Sequence, residues 1–226
     1  MQYLYKYNSF KLNESEEEKD KETDSPKRSE RVLNQAQREW KEDDKQVEGN
    51  MPAMLFTDVV GSSKMWSEDS ISMMKQLEEH HKLVANLAEK NNGWIVKTIG
   101  DAFMIYFEPT GDSLLNALKC AKEIVINEKK YNLRMGVCQG YMEEKTYRIQ
   151  KVNLKDFYGN AVNVASRMES KVAEDAGVIA FSSTKDIKES KIGDIARSIG
   201  RAEEVNLSDI DLRGANIKKA YKIKVK

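Results

Sequence analysis

Residues 93–107 read GWIVKTIGDAFMIYF. Two runs rich in β-branched and aromatic residues, 94–99 and 102–107, flank Gly100-Asp101, which is the pattern of a β-hairpin. Gly100 suits the turn and a close approach of backbone. Upstream, residues 69–91 carry apolar side chains at helical spacing, with Ile71, Met74, Leu77, His81, Val84 and Leu87 near one face; Asn91-Asn92-Gly93 stops the helix. Before that helix, residues 53–60 read as a buried strand ending at Asp58, Gly61 and Ser62. Downstream come a helix over 114–127, a strand over 133–141, a helix over 158–171, a short strand over 177–181 and an alternating strand over 219–225. The order β-α-β-β-α-β predicts an α+β fold. It is a ferredoxin-like sandwich with additional α/β elements, in which helices cover one face of an antiparallel sheet.

The chain has 226 residues, enough for one domain plus an extension. Lys+Arg and Asp+Glu both total 37, so the net charge is zero and nothing in the balance points to nucleic acid or an anionic membrane. Cys120 and Cys138 have no metal-ligand spacing and make no disulfide framework. The first residues, MQYLYKYNSFKL, lack an apolar run, and no run reaches the roughly 18 residues of a membrane span. The expectation is a cytoplasmic protein. Residues 1–50 read as a charged, flexible extension in which Val32, Leu33, Ala36 and Trp40 mark one short helix; residues 51–226 read as the globular domain.

Three clusters carry chemistry. Residues 56–63, FTDVVGSS, end a strand on Asp58 and open a helix on Gly61-Ser62-Ser63. The N–H groups at a helix start are unpaired within the helix and form a cradle for phosphate oxygens. A carboxylate beside that cradle calls for a cation, and Mg²⁺ is held by one or two carboxylates plus substrate phosphates. Alone, Asp58 reads better as a helix N-cap. Asp101, however, sits at the hairpin tip, where it can lie beside the end of a neighbouring strand. Two aspartates so placed can share two metal ions, the geometry suited to in-line displacement at phosphorus. An Asp at a hairpin turn is also common without any function. In residues 155–167, KDFYGNAVNVASR, Asn163 and Arg167 lie four apart on one helical face. Asn can hold a sugar oxygen and Arg can spread its fork over phosphoryl charge. Alone, that segment is a capped helix with a surface Asn and Arg.

Together, FTDVVGSS, GWIVKTIGDAFMIYF, LRMGVCQGY and DFYGNAVNVASRME resemble, in order, the signature blocks of class III adenylyl and guanylyl cyclases. The resemblance covers about residues 53–226. It implies that Asp58, Val59 and Asp101 hold two Mg²⁺ or Mn²⁺ ions, and that Lys97 and Asp156 read adenine. It further implies that Asn163 orients the ribose and Arg167 stabilises the transition state. The implied activity is conversion of ATP to 3′,5′-cyclic AMP and pyrophosphate by a homodimer with two sites at its interface. Guanylyl cyclases resemble Glu and Cys at the Lys97 and Asp156 positions. A guanine there would set an oxygen against Asp156 and leave buried polar groups unpaired, so ATP is favoured. The alternatives are a cyclase for guanine or pyrimidine nucleotides, and a non-catalytic nucleotide-binding or dimerisation module of the same fold.

Some segments depart from the family pattern. Residues 141–155 are longer and more charged than the usual link and read as a β-arm over the partner subunit. For the late basic residue that binds triphosphate, the candidate is Arg213, with Lys218 and Lys219 behind it. His80 and His81 have no Cys or His partner at ligand spacing, which argues against zinc. Trp66, Trp94, the two cysteines and Met65, Met73, Met74, Met104 and Met135 read as packing or dimer-interface residues.

Overall fold

A computed structural model describes residues 50–149, 151–208, 210, 212 and 217–225. The expected flexible extension with its short helix therefore lies, up to residue 49, outside the described residues, as does Arg213. The sheet strands are β1 (Ala53–Val59), β2 (Gly93–Ile99), β3 (Ala102–Phe107), β4 (Leu133–Gln139), β7 (Val178–Ser183), β8 (Glu203–Val205) and β9 (Ala220–Lys224), in spatial order β2-β3-β1-β4-β7-β9-β8. The first four strands, with their crossovers, form the expected ferredoxin-like unit. Strands β5 (Glu143–Ile149) and β6 (Val152–Tyr158) pair only with each other, so the expected β-arm is present as a separate hairpin. Among the described residues no helix is long and apolar enough to cross a membrane.

The sheet is mixed rather than antiparallel, because β4 and β7 run parallel. It is also covered on both faces, where the sequence predicted one. On β1, Ala53, Leu55 and Val59 join a core formed with α2 (Ser70–Lys90) and α3 (Ser113–Asn127). The alternate residues Met54 and Phe56 pack on the other side with Ala161, Val164 and Ala165 of α4 (Asn160–Arg167). A strand apolar on both sides needs two covering layers, which is why residues 53–57 read as one continuous hydrophobic run. A short helix α1 (Ser62–Glu68) follows β1, a π turn (Met168–Val172) extends α4, and α5 (Glu189–Ser198) adds to the first layer, where Ile195 is buried.

Helix α2 turns a different stripe inward from the one its hydropathy suggested. Met73, His80, Val84 and Ala88 are buried, whereas Ile71 and Met74 are 71% and 65% exposed. The phase is set by a polar residue: His80 Nδ1 lies 2.6 Å from Glu128 Oε2 inside the core. The sequence pattern placed His81 in the inward stripe, whereas its neighbour His80 is the buried one. Asp69 caps the helix, accepting the Ser72 N–H at 2.9 Å.

Gly136 sets the distance between α4 and the sheet. A Cβ there would stand 2.1 Å from the Glu169 nitrogen and 2.2 Å from the Ala165 carbonyl oxygen, both backbone atoms. Gly136→Ala is therefore expected to destabilise by about 2–3 kcal/mol, as overpacking against backbone does. In a domain of this size that lowers Tm by roughly 5–10 °C in a thermal melt. An unchanged Tm would contradict the close helix–sheet seat.

Candidate active site

Asp58 follows Met54 and Phe56 in the alternation of β1, so it emerges on the α4 face. Its cross-strand partner on β4 is Arg134. Arg134 donates to Asp58 Oδ2 through Nη2 at 2.7 Å and Nε at 3.2 Å. The same guanidinium lies 2.6 Å from Glu169 Oε1 on the π turn. One arginine thus serves two carboxylates, and neither it nor Glu169 was singled out from the sequence. The only signal was position: an Arg in an apolar strand, opposite an Asp one residue from the strand's end. Asp58 Oδ1 takes no hydrogen bond from a described residue and stays open to a ligand.

Asp101 lies at the same end of the sheet. Thr57 pairs with Phe103, which brings Asp58 level with Ala102, one residue from Asp101. Asp101 is 7% exposed and its Oδ2 is buried without a hydrogen-bond partner. A buried, unpaired carboxylate oxygen is costly unless something positive meets it. Val59 closes β1 beside Asp58, paired with Leu133. Among the described residues no group of three or more His, Cys, Asp or Glu could hold a metal by itself. Two carboxylates, one with an open oxygen and one with an orphaned oxygen, fit Mg²⁺ or Mn²⁺ completed by phosphate oxygens rather than a protein cage.

Lys97 and Asp156, 59 residues apart in sequence, meet at 2.6 Å between β2 and β6. A bulge aims Lys97. The β2–β3 register shifts between Ile95 and Lys97, so Lys97 lies opposite Met104, whose side chain belongs to the α4 face. Without the extra residue, strict alternation would turn Lys97 toward α2. Asp156 is fixed by its neighbour Phe157, which is 4% exposed and stacks on Tyr106 at 4.3 Å with Trp94 edge-on at 5.6 Å. Burying such a ring contributes about 1.5–3 kcal/mol. It thus holds the base of the arm on the sheet. Burial alone would raise the Asp156 carboxyl. Lys97, the Phe157 N–H and the Tyr158 hydroxyl outweigh it and hold the group below its ordinary range, ionised and able only to accept.

Asn163 and Arg167 share the outward side of α4, since Ala161, Val164, Ala165 and Met168 face the sheet. Neither side chain forms a hydrogen bond or ion pair with another described residue. The chain therefore brings Asp58 and the Asp101 turn to one end of the sheet and joins Lys97 with Asp156, while Asn163 and Arg167 make no hydrogen bond or ion pair with its own aspartates. Gly61 precedes α1 with φ 78° in the left-handed region, and the helix starts at Ser62 and Ser63 without a side-chain cap. Asp58 is thus not an N-cap. Lys218 and Lys219 pair with Asp186 and Glu204, at 2.9 and 3.3 Å. Cys120 and Cys138 are buried, as a packing role implies, and burial pushes the Cys120 thiol up to about 12, whereas Met74 is exposed.

The chain belongs to the adenylate and guanylate cyclase catalytic domain family, whose model matches residues 45–221. The adenylate cyclase of Schizosaccharomyces pombe is 25% identical over 182 residues, covering 71% of this chain and 10% of that protein. This chain therefore corresponds to about a tenth of that relative's length. The catalytic core of a rhodopsin-guanylyl cyclase with converted specificity, in complex with ATPαS, superposes with a TM-score of 0.63 at 22% identity, covering 79% of this chain and 97% of that one. The guanylate cyclase domain of RhGC from Catenaria anguillulae, in complex with GTP, gives 0.63 at 20% identity, covering 80% and 100%. One core holds an ATP analogue and the other GTP, so the shared fold leaves the base to be read from side chains.

Burial, opposed by Arg134 and reinforced by Asp58, pushes the Glu169 carboxyl up to about 7 from an ordinary 4.5. Between those values the folded chain keeps a proton that the unfolded chain has released. Stability from this group is full below about 4.5 and is lost as pH rises through 7. Glu169→Gln stays neutral throughout. Melts of the metal-free protein in chelator at pH 5, 6, 7 and 8 should therefore show the variant gaining on wild type as pH rises. A difference that stays constant with pH would contradict the shift.

Proposed function

We propose that this domain is an adenylate cyclase, converting ATP to 3′,5′-cyclic AMP and pyrophosphate at two sites in a homodimer interface, with two Mg²⁺ or Mn²⁺ ions per site. The observation that carries the reading is the Lys97–Asp156 pair, a donor and an obligate acceptor held 2.6 Å apart. Adenine offers the complement: a ring nitrogen for the lysine and an exocyclic amine for the aspartate. Guanine reverses that pattern and leaves both protein groups unpaired.

Asp58 and Asp101 would hold the ions, with the Val59 carbonyl beside them. When bound, the ions lower the pKa of the attacking 3′-hydroxyl and offset triphosphate charge. The N–H groups of Ser62 and Ser63 after Gly61 face the phosphates, and Arg213 remains the candidate for the far end of the triphosphate. Asn163 orients the ribose, and Arg167 meets the charge that builds on the transferring phosphoryl group. In this reading the aspartates come from one copy, and Asn163 and Arg167, which lie on the outward side of α4, come from the second copy together with Lys97 and Asp156. A twofold pair then owns two equivalent sites. The arm supports this arrangement: Ile149, Val152 and Leu154 are 57%, 57% and 48% exposed, an apolar surface suited to a partner chain.

Mixing tests the shared site. Asp58→Ala and Arg167→Ala should each abolish turnover alone. In an equimolar mixture half the dimers are mixed, and each of these keeps one intact site, so about a quarter of wild-type activity should return. Inactive mixtures in which mixed dimers are shown to form would place the whole site in one chain.

Base choice is tested by kcat/KM for ATP, GTP, CTP and UTP. Each hydrogen-bond partner lost in a buried polar site costs about 1–3 kcal/mol. Lys97→Glu with Asp156→Cys should therefore shift the ATP:GTP preference by roughly 10- to 1,000-fold. A wild type that prefers another base, or a double variant with unchanged preference, overturns the adenylate reading. A wild type inert with every nucleotide supports the non-catalytic alternative.

A further inference from the structure

The two histidines that the cyclase reading leaves unused stand beneath the hairpin turn that carries Asp101. His81 is half-buried, and its Nε2 lies 3.3 Å from the Gly100 carbonyl oxygen. A carbonyl only accepts, so His81 Nε2 carries the hydrogen and donates. The His81 ring also meets Phe103 edge-on, with centroids 4.9 Å apart at 81°. His81 thus touches the chain on both sides of Asp101, one residue before it and two after. Gly100 has φ 64°, and the Phe103 N–H donates to Thr57 Oγ1 at 3.2 Å.

His80 anchors this contact from below. It is 1% exposed, and Nδ1 meets Glu128 Oε2 at 2.6 Å, while Glu128 Oε1 accepts the Lys130 N–H at 2.8 Å. The His80 ring packs edge-on against Phe103 at 5.6 Å and Tyr131 at 5.3 Å. Three parts of the chain are thereby locked at one point: α2, the loop after α3, and the start of β3. Apolar side chains would fill such a place at least as stably, since burial holds the His80 imidazole below its ordinary pKa and a buried carboxylate seldom repays its desolvation. What the polar pair adds is a fixed orientation, the property a metal-binding carboxylate needs, because such sites tolerate only about 0.5 Å of error.

We propose that His81 is a positioning residue for Asp101, holding the turn through the Gly100 carbonyl, with the His80–Glu128 pair as its buried anchor. This rests on the reading of Asp101 as a metal-binding residue. Removing the His81 donor should loosen the turn and weaken cation binding without unfolding the domain.

The test is Mn²⁺ binding to the full chain, read from the electron paramagnetic resonance signal of free Mn²⁺ in the presence of 3′-deoxy-ATP, which lacks the attacking hydroxyl. His81→Phe keeps the ring contact with Phe103 and loses the donor. It should weaken Mn²⁺ binding roughly 10-fold, the size of effect seen when a partner that orients a metal ligand is removed. Its melting temperature in chelator should stay near wild type. His81→Gln restores an N–H donor and should bring affinity back to within about 2-fold. Wild-type affinity in His81→Phe, alongside weakened binding in Asp101→Ala, overturns the positioning role alone. So does a loss that His81→Gln fails to restore. A wild type that binds no Mn²⁺, or an Asp101→Ala variant that binds as wild type does, overturns the metal reading and this inference with it.

Discussion

Strand β1 is hydrogen-bonded along both edges, to β3 and to β4, and covered on both faces, and the candidate site depends on that confinement. A strand with no free edge cannot slip, because a one-residue shift would drive Leu55 and Val59 out of one core and Met54 out of the other. Asp58 therefore leaves the sheet at a defined height and on a defined face. The same ladders place Arg134 opposite it and bring the Asp101 turn to its side. The carboxylates are held together not by attraction, since they repel, but by apolar strands that are stable in only one register.

That arrangement leaves an electrostatic problem at the sheet end, where Glu169 meets Asp58 and the Asp101 turn lies alongside. Arg134 answers part of it, reaching both Asp58 and Glu169. Protonation of Glu169 answers another part, since its carboxyl is pushed up to about 7. Asp101 receives no bond from Arg134, and its buried Oδ2 stays unpaired among the described residues. A divalent cation would supply the missing charge where Asp58 Oδ1 is also open. Arg134 need not leave when it arrives, because it uses the other oxygen of Asp58. Asp58 could therefore serve both, with Arg134 on Oδ2 and Oδ1 left to help hold a cation.

The sequence made local features readable. The hairpin over 94–107, its Gly100 turn, the strand ending at Asp58 and the helix carrying Asn163 and Arg167 all stand where the pattern put them, to within a residue or two. Each rests on turn residues and alternation, which are properties of short windows. What was not legible depends on distant partners. On α2 the pattern put Val84 inward correctly but chose His81 over His80, whose partner Glu128 lies 48 residues on. The bulge that aims Lys97 has no mark in GWIVKTIGD, since an extra residue in a strand shows only against the strand beside it. The second layer was missed because α4 was read as a polar helix with catalytic residues. Its buried side is mostly small, Ala161, Val164 and Ala165, and it approaches closely because Gly136 lies beneath it.

That close approach bears on why the site would need two chains. A helix pressed against the sheet by alanines and a glycine cannot roll its outer side inward. Rotating α4 enough to aim Asn163 at the aspartates would bury those polar groups against Met54, Met104 and Cys138, and expose Val164 and Met168. The helix is also held at both ends. Gly159, at φ 142°, sits over Tyr141 and Met142, and the π turn carries Glu169 onto Arg134. One chain thus holds Asp58 and Asp101 at one end of the sheet, and its Asn163 and Arg167 on the outward side of α4. Neither set can reach the other by a local motion. In the homodimer proposed above, a twofold axis would join them without any such rotation of α4.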